Sequence, residues 1–339
     1  MKVVVTGGAG YIGAHVVRLL LTRGDDVLVV DDLSTGDPAR VAGARLVTAD
    51  IAAPGAVEEL TAAMTGADAL VHLAARKQVG ESVERPLWYA EQNIGGTIAV
   101  LRAAEAAGVA RAVFSSSAAV YGDVAGGAVT ERAATEPVNP YGRTKLAGEW
   151  LVRDAARAWG LRQVSLRYFN VAGAGEPALG DPAVLNLVTI VLDRWARGEP
   201  VVVHGTDYPT PDGSAVRDYV HVADLAEAHL AALDALAGPD LAADVLNIGT
   251  GRGTSVLEMV AALAEASGGA GAVQHGPRRA GDPARVVADP TLAQEVLGWQ
   301  ASRDVAEIAR SAVAASALGD APDRSGRQAS VADVGPELR

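Results

Sequence analysis

The chain has 339 residues, a length that suits one large domain or two smaller cooperating ones; it has no cysteine and a formal net charge of -12. The absence of cysteine excludes disulfides, thiolate metal sites and a cysteine nucleophile, and it fits a reducing, cytoplasmic location. The negative charge argues against a nucleic-acid surface or an anionic membrane, and the longest apolar runs are too short to span a bilayer.

The first half of the chain alternates apolar segments of strand length with longer helical patterns. Strands are predicted at "KVVVT", "DVLVVDD", "ARLVTAD", "ADALVHLA", "RAVFSSS" and "RQVSLRYFN". Helices are predicted near Val57–Met64, over about Leu87–Ala107 and from Tyr141 onward. Val/Leu-rich strands separated by helices are typical of a parallel sheet covered on both faces. We therefore predict an α/β fold with a Rossmann-type doubly wound parallel sheet.

The alternation stops after Asn170. A Gly/Pro-rich loop, a helix over about Ala183–Arg197 and a second loop, "GTDYPTPDGSAVRD", come next, and "ADVLNIGTG" then predicts a late buried strand. We predict a Rossmann domain over 1–169 plus about 216–248, and a smaller C-terminal substrate-binding lobe over about 170–215 and 249–318. Residues 319–339 are polar with few large apolar side chains, so we expect them to be disordered.

A glycine-rich stretch, "VVVTGGAGYIGAHVV", lies between the first strand and the first helix. Gly7, Gly10 and Gly13 let backbone amides approach a pyrophosphate at the N-terminus of that helix. Asp31 comes 18 residues after Gly13, at the end of the second strand, where a carboxylate accepts hydrogen bonds from the adenosine ribose. Asp31 and Asp32 together would repel a 2′-phosphate, so we predict NAD rather than NADP as the cofactor.

A second motif, "NPYGRTK", opens the helix that follows the "SSS" strand end. Tyr141 and Lys145 are four residues apart and would point to the same side of a helix. In isolation this spacing also fits an exposed pair, but the glycine-rich motif favours a catalytic one. A nearby ammonium and a nicotinamide cation both lower the pKa of a phenol. We predict that Tyr141 is the acid/base, that Lys145 tunes it and anchors the ribose, and that a serine orients the substrate oxygen.

Three motifs together, "GGAGYIG", "SSSAAVYG" and "PYGRTK", resemble the extended short-chain dehydrogenase/reductase family. "VGESVERPLWY", "SLRYFNVAGA", "DYPTPDGSAVRDYVHVADLAEAH" and "RRAGD" are similar to the UDP-sugar 4-epimerases of that family, over about Met1–Ser316. The resemblance implies that C4 of the sugar is oxidised by NAD and reduced again on its other face, which interconverts UDP-glucose and UDP-galactose. It also implies a homodimer, built from the helix after Tyr141 and the Leu87–Ala107 helix.

The resemblance also assigns roles to individual residues. The catalytic set that it implies is Ser117, Tyr141 and Lys145. The NAD contacts that it implies are Gly7, Gly10, Tyr11, Ile12, Gly13, Asp31, Asp50, Ile51, Leu73, Ala74, Lys77, Asn93, Tyr141, Lys145 and Tyr168. The UDP-sugar contacts that it implies are Ser117, Asn170, Asn186, Leu187, His204, Arg217, Arg279, Asp282 and Val286. Without the family, Asp50 fits a loop cap equally well, and the two arginines fit structural ion pairs about as well as a pyrophosphate.

One position departs from the family pattern, and other functions fit the same fold. Val286 aligns with a bulky tyrosine of strict glucose/galactose epimerases, so our hypothesis is a wider gate that admits N-acetylated UDP-hexosamines. Another NAD-dependent nucleotide-sugar epimerase or decarboxylase, for instance one acting on UDP-uronic acids, is the alternative function. A 4,6-dehydratase is disfavoured because Ala118 and Ala119, which follow Ser117, carry no proton-transfer group. A non-catalytic dinucleotide sensor would have no reason to keep the catalytic set. The histidines show no metal-ligand spacing, so we predict no metal.

Overall fold

The computed structural model describes residues 1–124, 127–238, 241–269, 271–279 and 281–319. Within these ranges the strands are β1 (Lys2–Thr6), β2 (Asp26–Asp31), β3 (Arg45–Thr48), β4 (Ala69–His72), β5 (Arg111–Ser117), β6 (Arg162–Tyr168), β7 (Asn170–Ala172), β8 (Val201–His204), β9 (Val216–His221), β10 (Val245–Ile248), β11 (Gly253–Ser255), β12 (Val273–Gly276) and β13 (Arg285–Val286). The helices are α1 (Tyr11–Arg23), α2 (Ala56–Met64), α3 (Val79–Glu84), α4 (Pro86–Tyr89), α5 (Gly96–Ala107), α6 (Pro140–Trp159), α7 (Leu187–Ala196), α8 (Val222–Ala237), α9 (Val256–Ala266), α10 (Thr291–Leu297) and α11 (Val305–Ala314). Residues 320–339 of the expected tail lie outside the described ranges.

In the described chain, seven strands form the main sheet, in the order β10-β6-β5-β4-β1-β2-β3, and every neighbouring pair is parallel. Val3 and Val5 of β1 pack with α1 and α8 on one face of the sheet. Val4, between them, packs with α2 and α5 on the other face. Both faces are therefore buried, which is why the strands read as continuous apolar runs. The predicted doubly wound α/β fold is confirmed.

The smaller lobe is built on short strands. β9 pairs with β7 and β13 in parallel and with β11 antiparallel, while β8 pairs with β12. Helices α7, α9 and α11 pack on one another around Val191, Met259 and Ile308. The predicted main domain includes β9, but β9 lies in this second sheet, and β10 forms the edge of the main sheet beside β6. Helix α8 and β10 rejoin the main sheet, and the domain boundaries themselves remain a prediction.

Two helices differ from their predicted ranges. The helix expected from about Ala183 begins at Leu187, because the side chain of Asn186 caps it by accepting from the amide of Thr189 at 3.1 Å. The long helix expected over Leu87–Ala107 contains a π-helical turn at Ala90–Gly95, between α4 and α5. Among the described residues, no helix combines the length and the apolar character that crossing a membrane requires.

Candidate functional site

The glycine turn between β1 and α1 forms one wall of the site. Gly7 has φ of 71°, in the left-handed region, and a Cβ on it would lie 2.6 Å from the backbone nitrogen of Ala74. A Cβ on Gly13 would lie 2.2 Å from the carbonyl oxygen of Gly7. Gly10 caps α1, and no described side chain bonds to the amides of its first turn. These amides are therefore available to an anion, and the glycines let it come close to the backbone, as an anion site at a helix N-terminus requires.

A cavity of about 380 Å³ opens in front of this turn, along the carboxyl ends of β1, β2 and β4. Every residue predicted to contact NAD lines it, from the glycine turn and Asp31 to Lys77, Asn93, Lys145 and Tyr168. The dinucleotide motif and the Tyr141/Lys145 pair, which are distant in sequence, therefore share one cavity. The residues present fit a bound dinucleotide, because the uncapped first turn of α1 and the carboxylate of Asp31 line the same cavity.

The two aspartates after β2 have different partners. Asp31 accepts from the backbone amides of Ala9 and Leu33, each at 2.9 Å, and burial raises its pKa against the effect of these two bonds. Asp32 accepts from Arg76 at 2.6 Å, so its charge is already compensated. The prediction that both aspartates repel a 2′-phosphate is therefore corrected. Because the charge of Asp32 is compensated, we assign that repulsion to Asp31.

Asp50 and Asn93 shape the edges of the cavity. Asp50 accepts from the amide of Ala52 at 2.9 Å and also lines the cavity, so it caps the loop and faces the site at once. Asn93 is buried; it accepts from the amide of Arg76 at 2.7 Å and donates to the hydroxyl of Thr144 at 2.9 Å. It thus ties the loop after β4 to α6.

The catalytic candidates lie at the end of β5 and the start of α6. Asn139 caps α6 by accepting from the amide of Gly142 at 2.8 Å, which places Tyr141 in the first turn. Lys145 is buried and donates from Nζ to the carbonyl oxygen of Ser115 at 2.9 Å. Ser117 ends β5 and accepts from the amide of Ala119 at 3.2 Å. The hydroxyl of Ser117 also interacts with the phenol of Tyr141, although the serine does not itself line the large cavity.

Burial dominates the ionisation of the catalytic pair. It raises the pKa of the Tyr141 phenol, while the hydroxyl of Ser117 acts in the opposite direction. Burial also lowers the pKa of Lys145 to about 8. Burial outweighs the hydroxyl of Ser117, so the pKa of Tyr141 stays above its usual value; a nicotinamide cation, when bound, would lower it.

A buried ion pair behind the catalytic pair escaped the sequence analysis. Arg167 donates from Nε and Nη2 to the two carboxylate oxygens of Glu149, at 2.8 and 2.6 Å. Ser116 donates to the same carboxylate at 2.5 Å. The pair joins α6 to β5 and β6, one helical turn after Lys145. A glutamate four residues after the catalytic lysine is the one sequence signal that points to it.

The predicted sugar contacts lie apart from this cavity. Asn170, opposite Tyr219, and Val286, opposite Arg217, flank β9 in one sheet, and Arg217 forms an ion pair with Asp282. Apart from Ser117 at the end of β5, the other four lie elsewhere in the smaller lobe: Asn186 lines a second cavity of about 190 Å³, Leu187 begins α7, His204 ends β8 and Arg279 is exposed. None of the predicted sugar contacts among the described residues lines the large cavity. Within the same ranges, no three histidine, cysteine or acidic residues form a group that could hold a metal ion.

The comparison with known proteins agrees with this arrangement. The model of the NAD dependent epimerase/dehydratase family matches residues 3–249, from β1 to the end of the main sheet. The chain belongs to this family. A UDP-glucose 4-epimerase of the family from Streptomyces lividans is 44% identical over 306 residues, which is 89% of this chain and 92% of the relative.

Solved structures within this epimerase/dehydratase family extend the likeness to the smaller lobe. The UDP-glucose-4-epimerase of Stenotrophomonas maltophila, with bound NAD and formylated UDP-arabinopyranose, has a TM-score of 0.88 at 42% identity and covers 93% of this chain and 97% of its own. The UDP-Glc/GlcNAc 4-epimerase of Campylobacter jejuni has a TM-score of 0.81 at 35% identity and covers 92% and 97%. The resemblance to UDP-sugar 4-epimerases drawn from the motifs is confirmed.

Proposed function

We propose that the protein is an NAD-dependent isomerase, a 4-epimerase that interconverts UDP-glucose and UDP-galactose. The observation that carries this function is the single cavity in which the dinucleotide turn meets Tyr141 and Lys145. Relatives of similar length with over 40% identity are UDP-glucose 4-epimerases, and structures of such enzymes contain NAD. NAD, when bound, accepts the hydride from C4 of the sugar and gives it back.

The side chains of the protein handle the proton and the orientation. Tyr141 takes the proton from the 4-hydroxyl during oxidation and returns it during reduction. Lys145, held by the carbonyl of Ser115, keeps a positive charge beside that phenol and reaches the ribose. Ser117 orients the sugar oxygen. The buried pair of Arg167 and Glu149 keeps the catalytic helix in place against the sheet.

The smaller lobe is proposed to hold the uridine diphosphate. Arg217 and Arg279 suit the diphosphate oxygens, since guanidinium groups bind phosphate through paired N–H donors. Arg217, on β9, is already oriented by its ion pair with Asp282, and Asn170 lies on the neighbouring strand β7. The hold through the nucleotide leaves the 4-keto sugar able to turn over before reduction. His204, Asn186 and Leu187 belong to the same proposal.

The N-acetylated UDP-hexosamines are a further candidate substrate. Val286 is half-buried against the cluster that contains Tyr121, Leu146 and Phe169, next to the turn that follows Ser117. A valine there leaves more room than a tyrosine. The Campylobacter jejuni relative, described as a UDP-Glc/GlcNAc 4-epimerase, supports a dual substrate range.

A homodimer is proposed through α3, α4 and α6. Val83 and Leu87 are 61% and 78% exposed, and Trp150 on α6 is 55% exposed. The three elements contact one another, and each carries an exposed apolar side chain that a partner subunit could cover. We also propose a cytoplasmic location, which the absence of cysteine supports.

The test is the conversion of UDP-galactose by the purified protein without added cofactor, followed through the anomeric protons by NMR. Conversion to UDP-glucose is the expected result, and parallel conversion of UDP-N-acetylgalactosamine would support the wider substrate range. If neither sugar is converted even with NAD supplied, the proposed activity is wrong.

A further inference from the structure

A cluster of polar side chains links two loops at the cavity. Arg76, after β4, donates from Nη2 to Asp32 at 2.6 Å and from Nη1 to Ser34 at 2.5 Å, both after β2. Gln92 accepts from Nε of Arg76 at 3.2 Å, and the guanidinium carbon lies 5.4 Å from the ring centre of Trp88. All five residues line the large cavity. The cluster therefore belongs to the site, although no family motif points to Arg76.

The order of strands decides what this link crosses. β1 lies between β2 and β4 in the main sheet, and the glycine turn follows β1. A link between the loops after β2 and β4 therefore crosses the edge of the sheet at β1, in front of the turn predicted to hold the pyrophosphate. The side chains of Arg76 and Asp32 are 23% and 27% exposed, so the link lies on the solvent side of the cavity.

The link is fixed at the backbone as well as at the side chain. Asn93 accepts from the amide of Arg76 at 2.7 Å and donates to its carbonyl oxygen at 3.0 Å. Asn93 is itself buried and bonded to Thr144 of α6. Exposed ion pairs contribute little mainly because two long side chains lose freedom when they pair. Here the guanidinium of Arg76 is also held by Ser34 and Gln92, so the pair is expected to hold more firmly than an ordinary surface pair.

Asp32 is ionised and can therefore pair with Arg76. Partial burial raises its pKa, but hydrogen bonds from Ser34 and the nearby guanidinium outweigh that effect and leave the pKa below its usual value. Asp31, which lines the cavity where the adenosine ribose is predicted, accepts from the backbone amides of Ala9 and Leu33 and has no side-chain partner among the described residues. Of the two neighbouring carboxylates, Asp31 is therefore available to the ligand, whereas Asp32 binds another loop of the protein.

We propose that the ion pair between Arg76 and Asp32 is a clasp that slows the release of NAD. The inference rests on the proposed function, because an epimerase that returns the hydride to the same sugar has to keep its cofactor through each turnover. With the pair formed, the two loops are tied together in front of the cofactor. NAD then leaves only after the pair has separated.

The experiment measures the release of NAD directly. Protein loaded with isotope-labelled NAD is chased with excess unlabelled NAD, and the label that stays bound is followed with time. The variants Arg76→Leu and Asp32→Asn are each expected to release the label ~3- to 10-fold faster, the range for a charge-assisted bond in a partly exposed pair. The double variant should be no faster than either single one, since both substitutions open the same pair.

Two controls, added salt and a matched variant, distinguish the effect of the clasp from general effects on the release of NAD. Release from the unmodified protein should become faster with added salt, which screens the pair, and the double variant should lose this dependence. Arg45→Leu removes an arginine that pairs with Asp26. Asp26 begins β2, whereas Asp32 follows its other end, so this variant should leave the release of NAD unchanged.

Two results would overturn the clasp while leaving the proposed function in place. One is that the single variants release NAD at the rate of the unmodified protein, and the other is that their effects add in the double variant. An unmodified protein that retains no labelled NAD would instead contradict the proposed function, and the clasp with it.

Discussion

The two halves of the site differ in how their side chains are engaged. On the main sheet, the predicted cofactor residues surround one cavity, and most of their fixed contacts are to backbone, as with Asp31 and Lys145. In the smaller lobe, several of the predicted sugar contacts already have side-chain partners in the protein. Arg217 pairs with Asp282, and Asn186 caps α7 and donates to Asp181 at 2.9 Å.

The difference follows from the architecture. Parallel strands end at one edge of a sheet, so the residues that follow them are brought together by the ladder of backbone hydrogen bonds. The smaller lobe has strands of only two to six residues, and its predicted sugar contacts are spread over several of these strands, the start of α7 and the loops between them. We infer that the cofactor half is formed in advance, whereas the sugar half exchanges protein partners for the diphosphate when substrate binds.

The largest expected effect comes from removing the acid/base that both halves share. Tyr141→Phe should lower kcat by ~10²- to 10⁴-fold, the usual contribution of a positioned acid/base group. The amount of NAD that purifies with the protein should stay the same, because the ring still fills its place in the cavity. Single-turnover conversion of UDP-galactose and the NAD content measure the two effects. Turnover at the unmodified rate would show that another group moves the proton.

A substitution in the smaller lobe separates the two halves. Arg217→Leu should raise KM for UDP-galactose ~10- to 100-fold, the range for a lost hydrogen bond to a charged group, with NAD content unchanged. Arg45→Leu, at the far end of the main sheet, is the matched control and should change neither quantity. If NAD content falls with Arg217→Leu, the two halves are not independent in the way that we describe.

The sequence predicts these two halves unequally. The glycine spacing, Asp31 and the Tyr141/Lys145 pair were predicted from residues alone, because each follows a strand or opens a helix whose position in the sheet is implied by the chain order. The ion pairs of Arg76 with Asp32 and of Arg167 with Glu149 were not predicted. They join segments far apart in the chain, and although Asp32 and Glu149 lie beside marked positions, nothing in the sequence indicates which arginine each of them pairs with.

Val286, the proposed gate residue, tests the choice between the two sugar substrates. Val286→Tyr should lower kcat/KM for UDP-N-acetylgalactosamine ~10-fold or more, because a bulky side chain costs about 1 to 3 kcal/mol where the pocket has to take an extra group. UDP-galactose should be affected much less. The ratio of the two kcat/KM values is the measurement, and an unchanged ratio would exclude Val286 as the gate.

The smallest expected effect concerns pH and belongs to the cofactor half. Burial lowers the pKa of Lys145 to about 8, so its positive charge is present below that pH and is lost as the pH rises through it. Between about pH 7 and pH 9 we expect the charged fraction, and the part of kcat that depends on it, to fall about tenfold. Lys145→Arg stays charged over this range, so its lower kcat should not show that fall. Parallel alkaline limbs for the two proteins would assign the fall to another group.

The central claim is that one bound NAD carries the hydride away from the sugar and back again inside the cavity shared by the glycine turn and Tyr141. Its most direct test uses UDP-galactose with deuterium at C4, converted by the protein in ordinary water without added cofactor. The account predicts that the UDP-glucose formed keeps the deuterium at C4. Product with hydrogen at C4 would contradict the account, because the atom removed from the sugar would then not be the atom returned.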